Sequence, residues 1–387
     1  MANIRSVLSQ LLQWIPRDEF QIGVDKHGGD KRARHLKCWG QFVALLFGQL
    51  TGHSSLRAIT AGLRSAKVKL YHLGISFEIC RSTLADANDH RDARIFEAAY
   101  YRVLPKVQAL APGHKLKLKK GQVLALDSTT IELCLSLSPW AQFHHDKGAF
   151  KLHTAIDIAG DLPTVIDFTD GRRADVRVAR TMHFAAGTIL LMDRGYLDYA
   201  WWWKLTTSGV WFVTRLKSNC KYKIRECRST NRTHGIMADQ TIRLKGVKGR
   251  EYEGKLRRVS YRDQTTGHWY EFITNRFDLS AATICNLYKA RWEVELFFKV
   301  LKGQLQVRKF AGTSVNAVKA QIWVALIAYL LMMVVKFQSK LGWGMPSIMA
   351  VLTVMLFVNK ELKSIWDDTP KERCVNAKQL QLPLFST

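Results

Sequence analysis

Asp127 closes the apolar run Val123-Leu124-Ala125-Leu126, and Asp193 closes Ile189-Leu190-Leu191-Met192. A carboxylate set directly against apolar strand residues is costly unless it is paired or used. If two such strands end at one edge of a sheet, their acids bring hard oxygen donors together, which is how divalent cations are held. Each acid also has a plainer explanation, because Asp often opens the turn after a strand. A third acid, Glu295, lies in the run from Tyr288 to Lys302. At about 100° per residue, Tyr288, Arg291, Glu295, Lys299 and Lys302 share a helical stripe roughly 80° wide, with apolar residues over much of the remainder. That stripe is either a solvated face with ordinary i,i+4 pairs such as Arg291 to Glu295, or a carboxylate held among cations in a half-buried site. Its narrowness favours the second. Asp127, Asp193 and Glu295 together could hold two Mg²⁺ ions for an in-line phosphoryl displacement. Arg291, Lys299 and Lys302 would then face the phosphates beside the scissile bond. Glu293 points about 160° away round the helix and makes a poor partner for them.

The elements that must position these residues follow from periodicity and turn residues. Helices are expected over Lys37 to Leu50, Ser55 to Leu63 and Ser82 to Leu104, before Pro105, Pro112 and Gly113 and the basic run Lys115, Lys117, Lys119 and Lys120 punctuate the chain. Strands are expected over Val123 to Asp127, Thr130 to Leu135, Phe150 to Ile158 and Thr164 to Phe168, then a helix over Asp175 to Ala185, implying a mixed sheet. Thr188 to Met192 reads as a strand, Leu197 to Thr207 as a helix with Trp201, Trp202 and Trp203, and Val210 to Thr214 as another strand. From Arg215 to Arg258, 14 Lys/Arg stand against four Asp/Glu, and alternation there marks a basic, β-rich insertion. Helical periodicity returns at Ser280 to Leu305, after the cap candidate Ser280, at Ser314 to Lys336 and at Ser347 to Val358. After Asp367 the chain looks poorly anchored.

With 387 residues and 47% hydrophobic content, the chain can bury a sizeable core in two or three structural units, which excludes a disordered tail. The 58 Lys/Arg against 32 Asp/Glu give a formal charge of +26, so a polyanion is the first partner to test, nucleic acid ahead of anionic lipid. Seven scattered cysteines form no CxxC pair and no zinc spacing, as in a reduced, cytoplasmic setting. Met1 to Phe20 lacks the apolar core of a signal peptide. The uncharged run Ile322 to Val335 is short for a bilayer span and reads as a buried core helix, with no membrane partner.

The string Tyr288, Arg291, Glu295 and Lys302, with two, three and six residues between successive members, resembles the YREK signature of bacterial insertion-sequence transposases of the IS-four type. Leu124 to Ile131 and Leu191 to Tyr196 resemble the blocks that hold that family's two catalytic Asp residues, and the likeness covers roughly Leu116 to Lys336. It implies an α/β, RNase H-like (retroviral-integrase-like) catalytic core with a β-rich insertion and a helical N-terminal domain. It implies a catalytic and metal-binding triad of Asp127, Asp193 and Glu295, with two Mg²⁺ per active site and Mn²⁺ able to substitute. Cut-and-paste transposition by a homodimer on double-stranded DNA, at terminal inverted repeats and target, follows, in the bacterial cytoplasm and on the nucleoid when bound. Tyr288, Arg291 and Lys302 take the family's contacts to the DNA end.

The 101 residues between Asp193 and Glu295 exceed any simple connection, which fits the inserted subdomain of such enzymes. Trp269 matches by position the insertion Trp that stacks on a flipped base, or else packs the sheet. Asp25 to Leu36 and Gly52 to Arg57 resemble the helical region ahead of the core, where Lys31, Arg32, Arg34, His35 and Lys37 could neutralise phosphates or form a solvated face. Lys147, Lys151 and His153 either line a DNA channel or stand exposed. The expected organisation is a helical domain over residues 1–114, core over 115–214, insertion over 215–279, core again over 280–340 and a helical tail over 341–387. Two rival readings are an RNase H-like nuclease without strand transfer, and a catalytically silent DNA-binding repressor, whose triad would be broken.

Overall fold

The computed structural model describes residues 5–113, 121–133, 142–144, 147–230, 232, 235–305, 311–339 and 342–367. In chain order, seven helices come first: α1 (Val7–Leu12), α2 (Arg17–Lys26), α3 (Cys38–Thr51), α4 (Leu56–Ser65), α5 (Lys67–Leu70), α6 (Arg81–His90) and α7 (Arg94–Gln108). Then follow β1 (Val123–Leu133), β2 (Gln142–His144), β3 (Lys147–Asp157), β4 (Leu162–Asp170), α8 (Asp175–Ala179), β5 (Ile189–Met192), α9 (Tyr199–Thr207) and β6 (Trp211–Arg215). The insertion supplies β7 (Tyr222–Cys227), β8 (Ile236–Leu244), β9 (Leu256–Arg262) and β10 (Trp269–Thr274). Last come α10 (Ala281–Ala290), α11 (Trp292–Gly303), α12 (Val315–Gln338), α13 (Met345–Met355) and α14 (Leu362–Asp367).

Contacts divide the described residues into two units, and boundaries fall inside β1, β3 and α11. One takes residues from Met1–Pro112, Ile131–Ala149 and Phe297–Glu372; the other takes Gly113–Thr130 and Phe150–Leu296. The helical unit is organised around α12, whose residues from Ala320 to Val335 are all buried. It packs against α3, α6, α7 and α13. Polar groups fix its start: Ser314 Oγ donates to Asp89 at 2.7 Å, and the Asn316 side chain accepts from Ala93 N–H at 3.0 Å and donates to the Asn88 carbonyl at 2.9 Å. The apolar run expected to be a core helix is thus part of a longer one. By length and composition α12 could cross a bilayer, but 94% of its most apolar stretch is buried inside the fold.

In the second unit, the mixed α/β sheet runs β4-β3-β1-β5-β6-β10-β9-β8-β7 among the described residues. β1, β5 and β6 are parallel, which requires crossovers, and α9 supplies the one between β5 and β6. This is the RNase H-like arrangement. Its core gathers Leu124, Leu126, Leu190, Met192, Trp202 and Phe212, with the Trp202 and Phe212 rings 4.9 Å apart. The insertion does not form a sheet of its own. β10 pairs antiparallel with β6, and β9, β8 and β7 continue the same sheet as a meander.

Several expected elements differ in extent. Val123 to Asp127 and Thr130 to Leu135 were expected as two strands; β1 is continuous through Leu133, so Asp127 is mid-strand rather than terminal. The helix expected over Ser82 to Leu104 breaks at Arg91, which is extended at φ −82° and ψ 131°, because Asp92 Oδ1 takes the Arg94 N–H and restarts the helix. α8 stops at Ala179, short of Ala185. The helix expected over Ser280 to Leu305 is interrupted at Arg291, where the Arg291 and Val294 amides bond three residues back, to Tyr288 and Arg291. The expected partition of the chain also differs from the contacts. Residues 297–303, α12, α13 and α14 group with the N-terminal helices because α12 is the surface on which α3, α6 and α7 bury their apolar faces. The basic run at 115–120, Cys134, Cys374 and the tail beyond Asp367 lie outside the described residues; Cys38, Cys80, Cys220, Cys227 and Cys285 are free thiols.

Truncating Leu330 in the middle of α12, where it is fully buried, is expected to destabilise the protein by about 2–5 kcal/mol through lost burial and a residual cavity. Val354→Ala, on an exposed face of α13, should stay within about 0.5 kcal/mol of the parent. Denaturant unfolding of the two variants measures the contrast, and equal effects would show that α12 is not the packing centre.

Candidate active site

The parallel register sets the first two acids. Val123 to Leu126 on β1 pair in order with Ile189 to Met192 on β5, so Asp127 and Asp193 occupy the next position on adjacent strands. Past that point β5 ends, and Asp193 caps a short 3-10 turn over Arg194–Tyr196 by accepting the Gly195 N–H at 2.7 Å. Its carbonyl takes the Thr214 hydroxyl of β6 at 3.1 Å, which fixes the turn against the next strand. Asp127 stays in the strand, with its carboxylate accepting the Ser128 N–H at 2.8 Å.

The third acid arrives on α11. Arg291, 9% exposed at the junction of α10 and α11, places its guanidinium between two carboxylates: 3.3 Å to Asp127 Oδ2 and 2.6 Å to Glu295 Oε1. Its Nε is buried without a hydrogen-bond partner among the described residues, and its guanidinium lies 5.8 Å from the Tyr288 ring centre. Tyr288 is itself buried, packed 4.8 Å from the Phe272 ring of β10, and burial raises its pKa. A tightened turn aims one guanidinium at a strand acid and a helix acid together.

Burial pushes Asp127 up to about 7, helped by the neighbouring charges of Asp193 and Glu295 and opposed by Arg291 and the Ser128 amide. Burial thus outweighs the Arg291 guanidinium beside it, and a divalent cation among hard carboxylate oxygens would favour the ionised form. Asp127, Asp193 and Glu295 fit such an ion in donor type. Among the described residues, however, no three acids, histidines or cysteines already converge as a metal cage, because Arg291 bridges two of the acids.

A second polar cluster flanks Asp127 and draws in two of the candidates, Lys151 and His153, neither of which stands fully exposed. Ser128 Oγ donates to Asp175 Oδ1 at 2.7 Å, and Lys151 Nζ pairs with the same oxygen at 2.8 Å. His153 Nδ1 lies 3.5 Å from it, while Nε2 meets the Thr169 hydroxyl at 2.8 Å. Burial drives the His153 pKa down to about 4, so the ring is neutral at neutral pH. Lys151 is thus held by Asp175, and Asp175 ties β1 to β3 next to Asp127.

The remaining candidates are distributed over the surface. Trp269 opens β10 and is 55% exposed, with the Arg262 guanidinium 6.0 Å from its ring centre, so it does not pack the core of the sheet. Tyr261, Tyr270, Phe272, Tyr288 and Trp292 line a small aromatic cavity of about 20 Å³ with Asp263 and Arg291. Trp292 was not singled out by spacing, although its place directly after Arg291 was a visible cue. On α11, Lys299 is exposed and Lys302 half-buried. Lys31, Arg32 and Arg34 are exposed in the turn between α2 and α3 rather than on a helix, and α3 itself is buried from Cys38 to Leu50.

The family profile of the transposase DDE domain matches residues 118–331, more than half of the chain, and the profile of a domain of unknown function (DUF4372) matches residues 4–76. A Sinorhizobium fredii protein named as a transposase, y4zB, is 28% identical over 288 residues, covering 73% of this chain and 79% of its own. A Geobacillus stearothermophilus protein named as a transposase for insertion sequence element IS5377 is 33% identical over 219 residues, covering 56% of this chain and 57% of its own. The cryo-EM structure of a piggyBac transposase synaptic complex with hairpin DNA aligns over 99% of this chain and 84% of that one at 12% identity and a TM-score of 0.43, a likeness too loose to carry inference. With strand order, paired acids and family profile in agreement, the chain belongs to the DDE transposases of bacterial insertion sequences and is a DNA transposase.

Proposed function

We propose that this transposase, of the IS-four type, cuts the phosphodiester at each end of its element and joins the freed 3′-hydroxyl to target DNA. The observation that carries this reading is the guanidinium of Arg291 held between Asp127 and Glu295, with Asp193 in the adjacent register position. Asp127, Asp193 and Glu295 are the residues that would hold divalent metal, Mg²⁺ with Mn²⁺ as a substitute. Two such ions, when bound, supply Lewis-acid activation of the attacking oxygen and stabilisation of the leaving one. Asp127 would have to be ionised in that role, its proton passing to solvent, and Arg291 would be free to pair a phosphate oxygen, to which its planar fork is equally suited. Tyr288, Lys299 and Lys302 extend the contact along the DNA end, and exposed Trp269 offers a face for base stacking. A homodimer on paired inverted repeats, acting in the cytoplasm and on the nucleoid, completes the reading.

Asp127→Ala, Asp193→Ala and Glu295→Ala should each retain binding to end-containing duplexes while losing cleavage and joining by at least about a hundredfold. One fully active variant would sink the assignment of that acid, and cleavage without joined product would favour a nuclease. The protonation of Asp127 gives a second test. Metal binding needs the ionised carboxylate, so Mn²⁺ affinity of the DNA-free protein should climb from about pH 6 to pH 8 and flatten above the Asp127 pKa of about 7. Calorimetric titration reads this directly, together with proton release; an affinity constant across that window removes Asp127 as a ligand.

A further inference from the structure

From Thr51 to Phe77 the chain carries Arg57, Arg64, Lys67 and Lys69 and no Asp or Glu. α3, the turn after it and α4 form a helix-turn-helix whose turn and second helix lie in this stretch. α3 ends at Gly52, whose φ of 70° suits glycine, and α4 begins four residues later with Ser55 Oγ accepting the Ala58 N–H at 3.1 Å. The turn is pinned by the His53 N–H on the Gly48 carbonyl at 2.9 Å and by the His53 ring, edge-on to Phe47 at 5.5 Å. α3 and α4 cross closely, since a Cβ at Gly48 would stand 2.6 Å from Ile59 Cδ1. α3 is buried along its length and has no face left for a partner. α4 is buried on one side only, through Leu56, Ile59, Thr60 and Leu63.

Its other side is basic and otherwise small. Arg57, Ala61 and Arg64 lie within about 60° of one another on the helix, with Ser65 beside them, and all four are exposed. Arg64 is steadied by Glu78 at 2.6 Å. Arg57, in the first turn of α4, has no side-chain partner among the described residues. Alanine and serine along the face let the helix backbone approach a groove, and a first-turn arginine is placed to reach a base edge with both arms of its fork. Exposed Lys67 and His72 continue the basic edge towards flanking phosphates.

We propose that α4 is the recognition helix of this chain, entering the major groove of double-stranded DNA with Arg57 reading a guanine, while Lys31, Arg32 and Arg34 contribute at most non-specific attraction. This rests on the transposase reading for its partner but on α4 alone for its geometry. The test is selection of bound duplexes from a randomised DNA library by the full-length protein at one fixed salt concentration, without metal. The parent should enrich a consensus. Arg57→Ala should lose discrimination at one guanine position by about tenfold or more, and Arg57→Lys should keep bulk affinity yet lose the same position, because an ammonium cannot bond it bidentately. Arg34→Ala should leave the consensus intact. An unchanged consensus with Arg57→Ala, or one altered by Arg34→Ala instead, overturns the proposal, as does a parent that enriches nothing. Because selection needs no catalysis, a consensus relaxed by Arg57→Ala in a protein that never cuts DNA would keep α4 and discard the cutting and joining reading.

Discussion

Backbone pairing between β1 and β5 is the constraint on which the second unit depends. Two apolar strands run parallel in strict register, and one step beyond the last pair each presents an aspartate. A slip of one residue in either strand would send its acid to the opposite face of the sheet, because side chains alternate with period two. Register is protected by burial. Val123 to Leu126 and Ile189 to Met192 are at most 3% exposed, so any shift would carry a carboxylate into that apolar layer. Apolar packing thus positions two charged groups that apolar packing alone could never attract.

Bringing a third acid to the same edge takes a different device. The insertion extends the core sheet through β10 on β6, and the residues after β10 must turn back towards β1 and β5. A buried ion pair steers them: Arg257 on β9 binds Asp239 on β8 through two nitrogens, at 2.8 and 2.6 Å, and donates from its third to the Phe277 and Leu279 carbonyls just before α10. Such a pair gives little net stability, since desolvation offsets much of its attraction, but it specifies one path for the backbone. α10 then leads to Arg291, where the tightened turn sets the guanidinium between Asp127 and Glu295. The long insertion thus helps set, through its geometry, where Glu295 meets the ends of β1 and β5.

Much of this was legible in the sequence. Asp127 and Asp193 stand out because each ends an apolar run, and Glu295 because a narrow polar stripe interrupts an apolar helix. The interruption at Arg291 was not legible, because every residue from Ala281 to Leu305 except Gly303 tolerates a helix and the break is imposed by the contacts of Arg291 itself. Nor was the tie from Asp175 to Ser128 and Lys151, which joins residues 24 and 47 positions apart or separated by strands whose pairing no local pattern reveals. The two-unit division was hidden for a related reason. The periodicity of α12 says that it is buried, not that α3, α6 and α7 bury it. Basic residues were easier to find than to place: Lys31, Arg32 and Arg34 are conspicuous in the sequence, yet they lie in a turn, whereas sparse Arg57 lies on a helix with one free face.

The burial of α12 has a consequence for how the protein is made. Its partners α3, α6 and α7 are translated first, and about 200 residues pass through the ribosome before Val315 is added. At about 5–20 residues per second, their apolar faces wait on the order of ten to forty seconds for the helix that covers them. During that interval the nascent helical unit is an incomplete shell, while the sheet between its two halves can already fold. The last large element synthesised is therefore the one that closes the first.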